Sequence, residues 1–408
     1  MNGSGFLERL MDGASVEWRP LGEVIKILRG KRLTKTELSS DGKYPVFHGG
    51  LDPLGYYGQS NRPANSVMII NVGASAGTVG YSDRDFWSSD GCFCLSQTDQ
   101  VNSKFLYHFL VGHERQIKGK VRVAGIPTLD AIIVKKILIP VPCPNDRKKS
   151  LAIQAEIVRI LDSFTEINAE INAKINAEIN ARKKQYKHYR DRLLGFEGCD
   201  VDWKTLNEIG EFIRGKRFTK ADYVDEGIGA IHYGEIYTHY GVYAHETLSE
   251  VKSEMADALR FAEPNDVVIA GVSETIEDVG KAVAWLGDGK VAIHDDSYAF
   301  RHKMNPKFIA YAMQTNAFHD QKAKHVSSGK IKRLLIDGIK KVRLPVPYPD
   351  DPKRSLDEQA RVVAILDKFD MLTTSLSESL PREMELRQKQ YEYYRAQLLS
   401  LPKTKGSA

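Results

Sequence analysis

Three blocks of this chain occur twice. Trp18–Lys35 reads WRPLGEVIKILRGKRLTK, and WKTLNEIGEFIRGKRFTK begins 185 residues later at Trp203. Ile139–Phe164 (IPVPCPNDRKKSLAIQAEIVRILDSF) is matched by Leu344–Phe369 (LPVPYPDDPKRSLDEQARVVAILDKF), 205 residues on. RKKQYKHYRDRLL from Arg182 and RQKQYEYYRAQLL from Arg387 keep that 205-residue offset. The stretches between these blocks mostly diverge. A chain built this way must fold as two similar frames that carry two different surfaces. Its 408 residues are enough for two or three domains.

Each half runs in the same order: a Trp-led segment ending in Arg-Gly-Lys-Arg, a variable region (36–138 and 221–343), a Pro-rich strand, and a long helix. The variable regions hold short β-type runs such as Ser66–Ile70 and Asp266–Ile269. A faint echo links them at offset 200. Asn65, Val67, Ile69, Val72, Val79 and Gly80 match Asn265, Val267, Ile269, Val272, Val279 and Gly280. The second region is 20 residues longer, the difference between offsets 185 and 205, and part of that excess falls in Tyr240–Asp257.

The helices follow from periodicity. Ile153, Ile157, Ile160, Phe164, Ile167, Ile171, Ile175, Ile179, Tyr186, Tyr189 and Leu193 form one apolar stripe at spacings of 3 and 4, with Arg182 in one slot. Its centre, INAE-INAK-INAE-INAR, steps by four and forms a stutter that relaxes a left-handed supercoil. The second stripe is Val362, Ile365, Phe369, Leu372, Leu376, Leu380, Met384, Tyr391, Tyr394 and Leu398. The two stripes predict an antiparallel coiled coil with pseudo-twofold symmetry. Ser150 is placed to cap the first helix, and Ser355 with Glu358 to form a capping box on the second. Pro381 should kink or restart that helix. The fold class is mixed α/β (α+β), divided as 1–150, helix 151–196, 197–355, helix 356–401, and a tail 402–408.

Composition excludes several classes. No run approaches the ~18 apolar residues of a membrane span, and the N-terminus lacks a signal-peptide core. The net charge of +5 permits an acidic partner without demanding one. The four cysteines lack metal-site spacing and read as reduced thiols, so no metal is expected. Gly73-Ala-Ser75-Ala-Gly77 matches a nucleophile pattern, but strand and turn residues follow it where a nucleophile elbow needs a helix. A glycine loop that lets backbone approach a ligand is the better reading. Gly210–Arg217 resembles a phosphate loop but has Arg217 where Ser or Thr is required. The repeated Arg-Gly-Lys-Arg is either a basic surface turn or a contact for phosphate or a protein edge. Methyltransferase and metalloprotease motifs do not occur in the chain, so no catalytic residue is assigned.

Together these features resemble the specificity subunit of type I restriction–modification systems, over nearly the whole length of the chain. The most specific parts are the Pro-rich strand leading into SLAIQAEIVRILDSF, the RKKQYKHYRDRLL block, and the doubling of both. The resemblance implies a non-catalytic, cytoplasmic prokaryotic subunit with two target-recognition domains. Each would read one half of an asymmetric split site in double-stranded DNA. The helices would set the gap, with INAx units as a ruler. Two methylase subunits, and two restriction subunits, would dock on the frame. S-adenosylmethionine, ATP and Mg²⁺ would sit on those partners, with no cofactor on this chain. In the family an N-terminal segment packs near the C-terminal helix, and Phe6–Met11 fits that role. Helices of about 45 residues span ~68 Å, more than the ~34–36 Å between half-sites one DNA turn apart.

Candidate DNA contacts are Lys31, Arg32, His48, Tyr56, Tyr57, Arg62, Arg84 and Thr128 in the first half. In the second half they are Lys216, Arg217, Tyr233, Tyr237, His239, Lys281, Lys330, Lys332 and Arg333, with Lys324 and His325 beside them. Spacer positions are Phe164, Ile167, Ile171, Ile175, Ile179, Phe369, Leu372, Leu376, Leu380 and Met384. The alternative is a coiled-coil interaction scaffold whose variable domains bind a partner other than DNA.

Overall fold

The computed structural model describes residues 9–198 and 200–402. Arg9–Met11 are helical, while Phe6–Glu8 of the expected N-terminal segment, and Cys199, lie outside the described residues. The chain forms two compact units. One contains the chain up to Lys174 together with Pro381 onward, and the other is Ile175–Leu380. Each long helix therefore contributes a part to both.

In the first unit the Trp-led strand Val16–Pro20 pairs antiparallel with the Pro-rich strand Leu138–Pro142, placing Trp18 opposite Pro140. In the second unit Val201–Thr205 pairs with Arg343–Pro347, placing Trp203 opposite Pro345. These are two-stranded sheets. A proline's missing N–H is tolerated on such an edge, which is why a Pro-x-Pro strand can be used here.

The end of the Trp-led block and the first variable region together make a four-stranded sheet in the order Ile27–Arg29, Cys92–Leu95, Ser66–Ile70, Val79–Ser82. The variable region also makes a three-stranded sheet, Gly55–Tyr57, Tyr44–Phe47, Trp87–Ser88. Ser66–Ile70 is buried along its whole length, as its unbroken apolar run requires. The second region elaborates the same plan into two five-stranded sheets. One is Gly210–Arg214, Ser297–His302, Val267–Ala270, Ala282–Trp285, Tyr243–Ala244. The other is Tyr223–Val224, Ser249–Val251, Ile228–Ile231, Val291–Ile293, Phe261–Ala262. The added strand Tyr243–Ala244 falls within the expected insertion and Phe261–Ala262 lies past it, while Ser249–Val251 pairs antiparallel with Ile228–Ile231 as Gly55–Tyr57 does with Tyr44–Phe47.

The echo at offset 200 holds for the central strands, and Asn65 and Asn265 share a positive φ, 59° and 74°. It fails at its far end. Gly77 and Gly280 both have positive φ (89° and 86°), and both N–H groups donate to the last residue of the central strand, Ile70 or Ala270. Gly280 is thus the counterpart of Gly77, not Gly80. Residue identity alone misplaced the register because the intervening turns differ. Gly77 leads into the strand Val79–Ser82, so no nucleophile elbow forms.

Helix α1 spans Arg147–Gly195 and α2 spans Pro352–Leu399. Both begin before the expected serines. Asp146 accepts from the Lys149 N–H at 2.9 Å, and Asp351 from the Arg354 N–H at 3.0 Å. Ser150 and Ser355 instead accept from the Gln154 and Gln359 side chains, each at 3.0 Å, and Glu358 pairs with Arg361. The capping box on Ser355 and Glu358 is therefore replaced by an aspartate cap on each helix. Helix α2 continues through Pro381 without restarting.

The first turns of each stripe are domain core. Ile153, Ile157 and Leu161 pack with Val67, Ile69, Phe105 and Phe109, while Val362 and Leu366 pack with Val267, Ile269, Phe308 and Tyr311. Asp162 accepts from Lys104 Nζ (2.6 Å) and sits 2.9 Å from His108 Nε2; Asp367 accepts from Lys307 Nζ and from the Tyr311 hydroxyl (2.7 Å). Beyond these turns the two helices pair antiparallel within each unit. Phe164 stacks on Tyr394 and Thr165 bonds the Tyr391 hydroxyl in the first, and Tyr189 stacks on Phe369 in the second.

Candidate nucleic-acid interface

In each unit one end of the sheets gathers four chain segments. The first is the repeated basic turn. Gly30 donates to Cys92 O and Lys31 to Ser88 O; Gly215 donates to Ser297 O and Lys216 to Ile293 O. The glycine is required in both. A Cβ on Gly30 would lie 2.0 Å from Ser89 O, and one on Gly215 2.0 Å from His294 O. The turn is pressed onto its neighbour's backbone, and the next two side chains, Lys31 and Arg32 or Lys216 and Arg217, are left exposed.

The second segment ends the strand that pairs in parallel with that neighbour. His48 follows Tyr44–Phe47, and His232 follows Ile228–Ile231. His48 Nδ1 lies 3.2 Å from Ser89 Oγ and 3.4 Å from Asp90. The His232 ring lies 4.6 Å from that of His294, with Phe218 and Tyr233 around it. Burial, then the neighbouring His294, push the His232 imidazole below its usual range, while Asp296 and Asp295 oppose this. His232 was not among the sequence candidates. The signal was present as PVFH against GAIH at offset 184, beside the 185 of the Trp-led block.

The third and fourth segments meet each other. In the first unit Val72 pairs with Thr128, Gly73 donates to Pro127 O, and Leu129 donates to Asn71 O. In the second Val272 pairs with Arg333, Ser273 with Lys332, and Leu334 donates to Gly271 O. The turns Gly125–Thr128 and Gly329–Arg333 thus hold equivalent places. The Asn71 N–H donates to Gly91 O, and the Gly271 N–H to Asp296 O, tying these segments to the others.

Several candidates are occupied internally. Arg62 donates to Asn61 O at 2.6 Å and Arg29 O at 2.9 Å, so it braces the basic turn. The Tyr57 ring packs edge-on against Trp87, whose indole N–H donates to Lys31 O. Tyr56 is half-buried in the same strand. The Tyr237 hydroxyl donates to Val272 O at 2.7 Å, and burial raises its pKa. Lys281, half-buried and shifted down by burial, points at Tyr237 O at 3.5 Å. Arg84 is exposed but follows Ser82, which pairs with Ser66 at the start of the central strand, away from the gathered loops. His239, Lys324 and Lys330 are exposed; Thr128, Tyr233, His325 and Lys332 are partly so.

Among the described residues His294, Asp295 and Asp296 bring possible metal-ligand atoms within 4.8 Å. Arg333 Nη1 already donates to Asp296 at 3.1 Å, so a guanidinium supplies the cation there. Exposed cations, close-packed glycine backbone and imidazoles together suit an anionic polymer with readable edges.

Comparison with known proteins bears on this geometry. Residues 15–181 and 200–386 each match the family described as type I restriction modification DNA specificity domain. The chain is 32% identical to the EcoR124I/EcoR124II type I restriction enzyme specificity subunit of Escherichia coli, covering 99% of this chain and 98% of that one. It is also 32% identical to a putative type I restriction enzyme specificity subunit of Haemophilus influenzae, covering 98% and 99%. A chain from a solved type I restriction–modification assembly matches the fold with a TM-score of 0.69 at 16% identity, covering 95% of this chain and 98% of that one. The HsdS subunit of Thermoanaerobacter tengcongensis matches with a TM-score of 0.52 at 16% identity, covering 94% and 96%. Two matched domains and full-length relatives leave one conclusion: this chain belongs to the type I restriction–modification DNA specificity family.

Proposed function

We propose that each loop cluster reads one half of a bipartite, asymmetric DNA site, and that the paired long helices set the gap between the halves. The chain is a DNA sequence-specificity subunit, a non-catalytic role. The observation that carries the half-site reading is the duplicated backbone frame with different side chains on it. Where the first unit has Ser89, Gly91 and Thr128, the second has His294, Asp296 and Arg333. A common frame with exchanged edges yields two base preferences, and hence an asymmetric target.

In this reading two methylase subunits dock on the frame and carry S-adenosylmethionine and the adenine-methylating chemistry. Two restriction subunits join them, with ATP and Mg²⁺. This chain holds no cofactor and works in the prokaryotic cytoplasm. Among the described residues no helix is long and apolar enough to cross a membrane. The test is to purify the chain with its methylase subunit, modify unmethylated genomic DNA, and sequence single molecules. A split motif with two unlike halves is expected; modification without such a motif would refute the reading.

A further inference from the structure

We infer that Arg333, held by Asp296, reads a guanine in the second half-site. The inference rests on the DNA-reading role proposed above. Arg333 stands where the third and fourth segments meet. Its backbone is fixed on both sides: it pairs with Val272, its N–H donates to Ser327 Oγ at 3.0 Å, and its carbonyl accepts from the Ser327 N–H at 3.0 Å. Its side chain is half exposed, while that of Asp296 is three-quarters covered. The carboxylate takes one of five N–H donors, through Nη1 at 3.1 Å. The remaining donors keep the flat fork that matches guanine O6 and N7.

The pairing also argues against a simple phosphate clamp. Asp296 cancels the charge of Arg333 and would itself repel a phosphate, which removes most of the sequence-independent attraction. What is left is directional hydrogen bonding by an oriented guanidinium, and that is a reader's property. Exposed Lys330 on the same turn, and Lys216 and Arg217 on the basic turn, remain to meet phosphate. Asp296 is a positioning residue, itself anchored because its carbonyl accepts from the Gly271 N–H at 2.7 Å. The first unit has Gly91 and Thr128 at these places, so the device belongs to the second half-site alone.

The experiment uses the assembled methylase complex and single-molecule sequencing of modified genomic DNA. Wild type is expected to require a G·C pair at one position of the second half-site. Arg333→Lys keeps the charge and loses the fork, so discrimination at that position should fall roughly tenfold or more. The first half-site and the gap should stay unchanged. Asp296→Asn, with Arg333 intact, should relax the same position. An unchanged thermal midpoint for Arg333→Lys shows that folding is not the cause. The inference is overturned if Arg333→Lys leaves the motif intact, if Arg333→Ala lowers modification at all sites equally while reducing the salt slope by about one, or if no G·C pair is required. A wild-type complex with no split motif would instead defeat the DNA-reading role itself.

Discussion

Tyr189 stacks on Phe369 with ring centroids 5.5 Å apart and planes at 13°. The same pair recurs in the other unit as Tyr394 on Phe164, at 5.6 Å and 17°. Each tyrosine and each phenylalanine lies 205 residues from its counterpart, so one side-chain contact has been used twice. It occurs where the stripes leave the domain cores and the helices begin to pair. Truncating either phenylalanine should therefore loosen the helix pairing and leave the sheets intact. Phe369→Ala and Phe164→Ala should each cost about 2–3 kcal/mol, below a full core deletion because both rings are half-buried. Leucine should recover the apolar part and not the stacking, worth about 0.5–1.5 kcal/mol. Denaturant midpoints compare the series, and a leucine variant equal to wild type would show that stacking contributes nothing.

Gly30→Ala and Gly215→Ala should be severe for so small a change. Each new methyl would meet a backbone carbonyl oxygen at 2.0 Å, so the basic turn must lift off its neighbour. Overpacking of this kind costs typically 1–3 kcal/mol. The displaced pair, Lys31–Arg32 or Lys216–Arg217, should weaken reading by its own unit only. In the assembled methylase complex, Gly30→Ala should degrade one half of the motif and Gly215→Ala the other. Equal degradation of both halves by either variant would contradict this.

The doubled frame and the paired helices were legible because they rest on local spacing, which sequence displays directly. The meeting of Gly125–Thr128 and Gly329–Arg333 with the segments that follow the central strands was legible in part, since both turns stand at matching places before the Pro-rich strand. His232 was not, because only the parallel pairing of Ile228–Ile231 with Val291–Ile293 makes it the counterpart of His48. The glycine of Arg-Gly-Lys-Arg looked like a feature of a phosphate loop, and its reason is a carbonyl supplied by a distant segment. Arg62 and Tyr237 looked like surface readers and are braces, since their hydrogen-bond partners are backbone carbonyls. Tertiary partners decide such roles, and spacing does not carry them.

His302 supplies a pH prediction for the second unit. Burial pushes its imidazole down to about 4, while an unfolded histidine titrates near 6.5. Between those values the unfolded chain binds a proton that the folded chain refuses, so stability falls as pH drops from about 6.5 to 4. Above 6.5 the group imposes no slope, and below 4 both states are protonated. The full effect is on the order of 3 kcal/mol. Denaturant titrations across that window should show the loss, and His302→Asn should make that part of the profile shallower, with His319, also pushed down to about 4 by burial, keeping its own share. A parallel profile for the variant would assign the acid sensitivity elsewhere.

The INAx run gives the last prediction. Ile171, Ile175 and Ile179 are only half-buried and Ile167 is 52% exposed, so little packing fixes the length of this stretch. Removing Ile171–Lys174 shortens α1 by about 6 Å. Because four residues turn the helix by about 400°, the deletion rotates the downstream stripe by only about 40°, so it stays on nearly the same face with one unit fewer. The loops proposed to read bases are untouched. Modified DNA should then show both half-sites unchanged and the gap shorter by one or two base pairs. An unchanged gap would mean that the separation of the readers is set by something other than this helix.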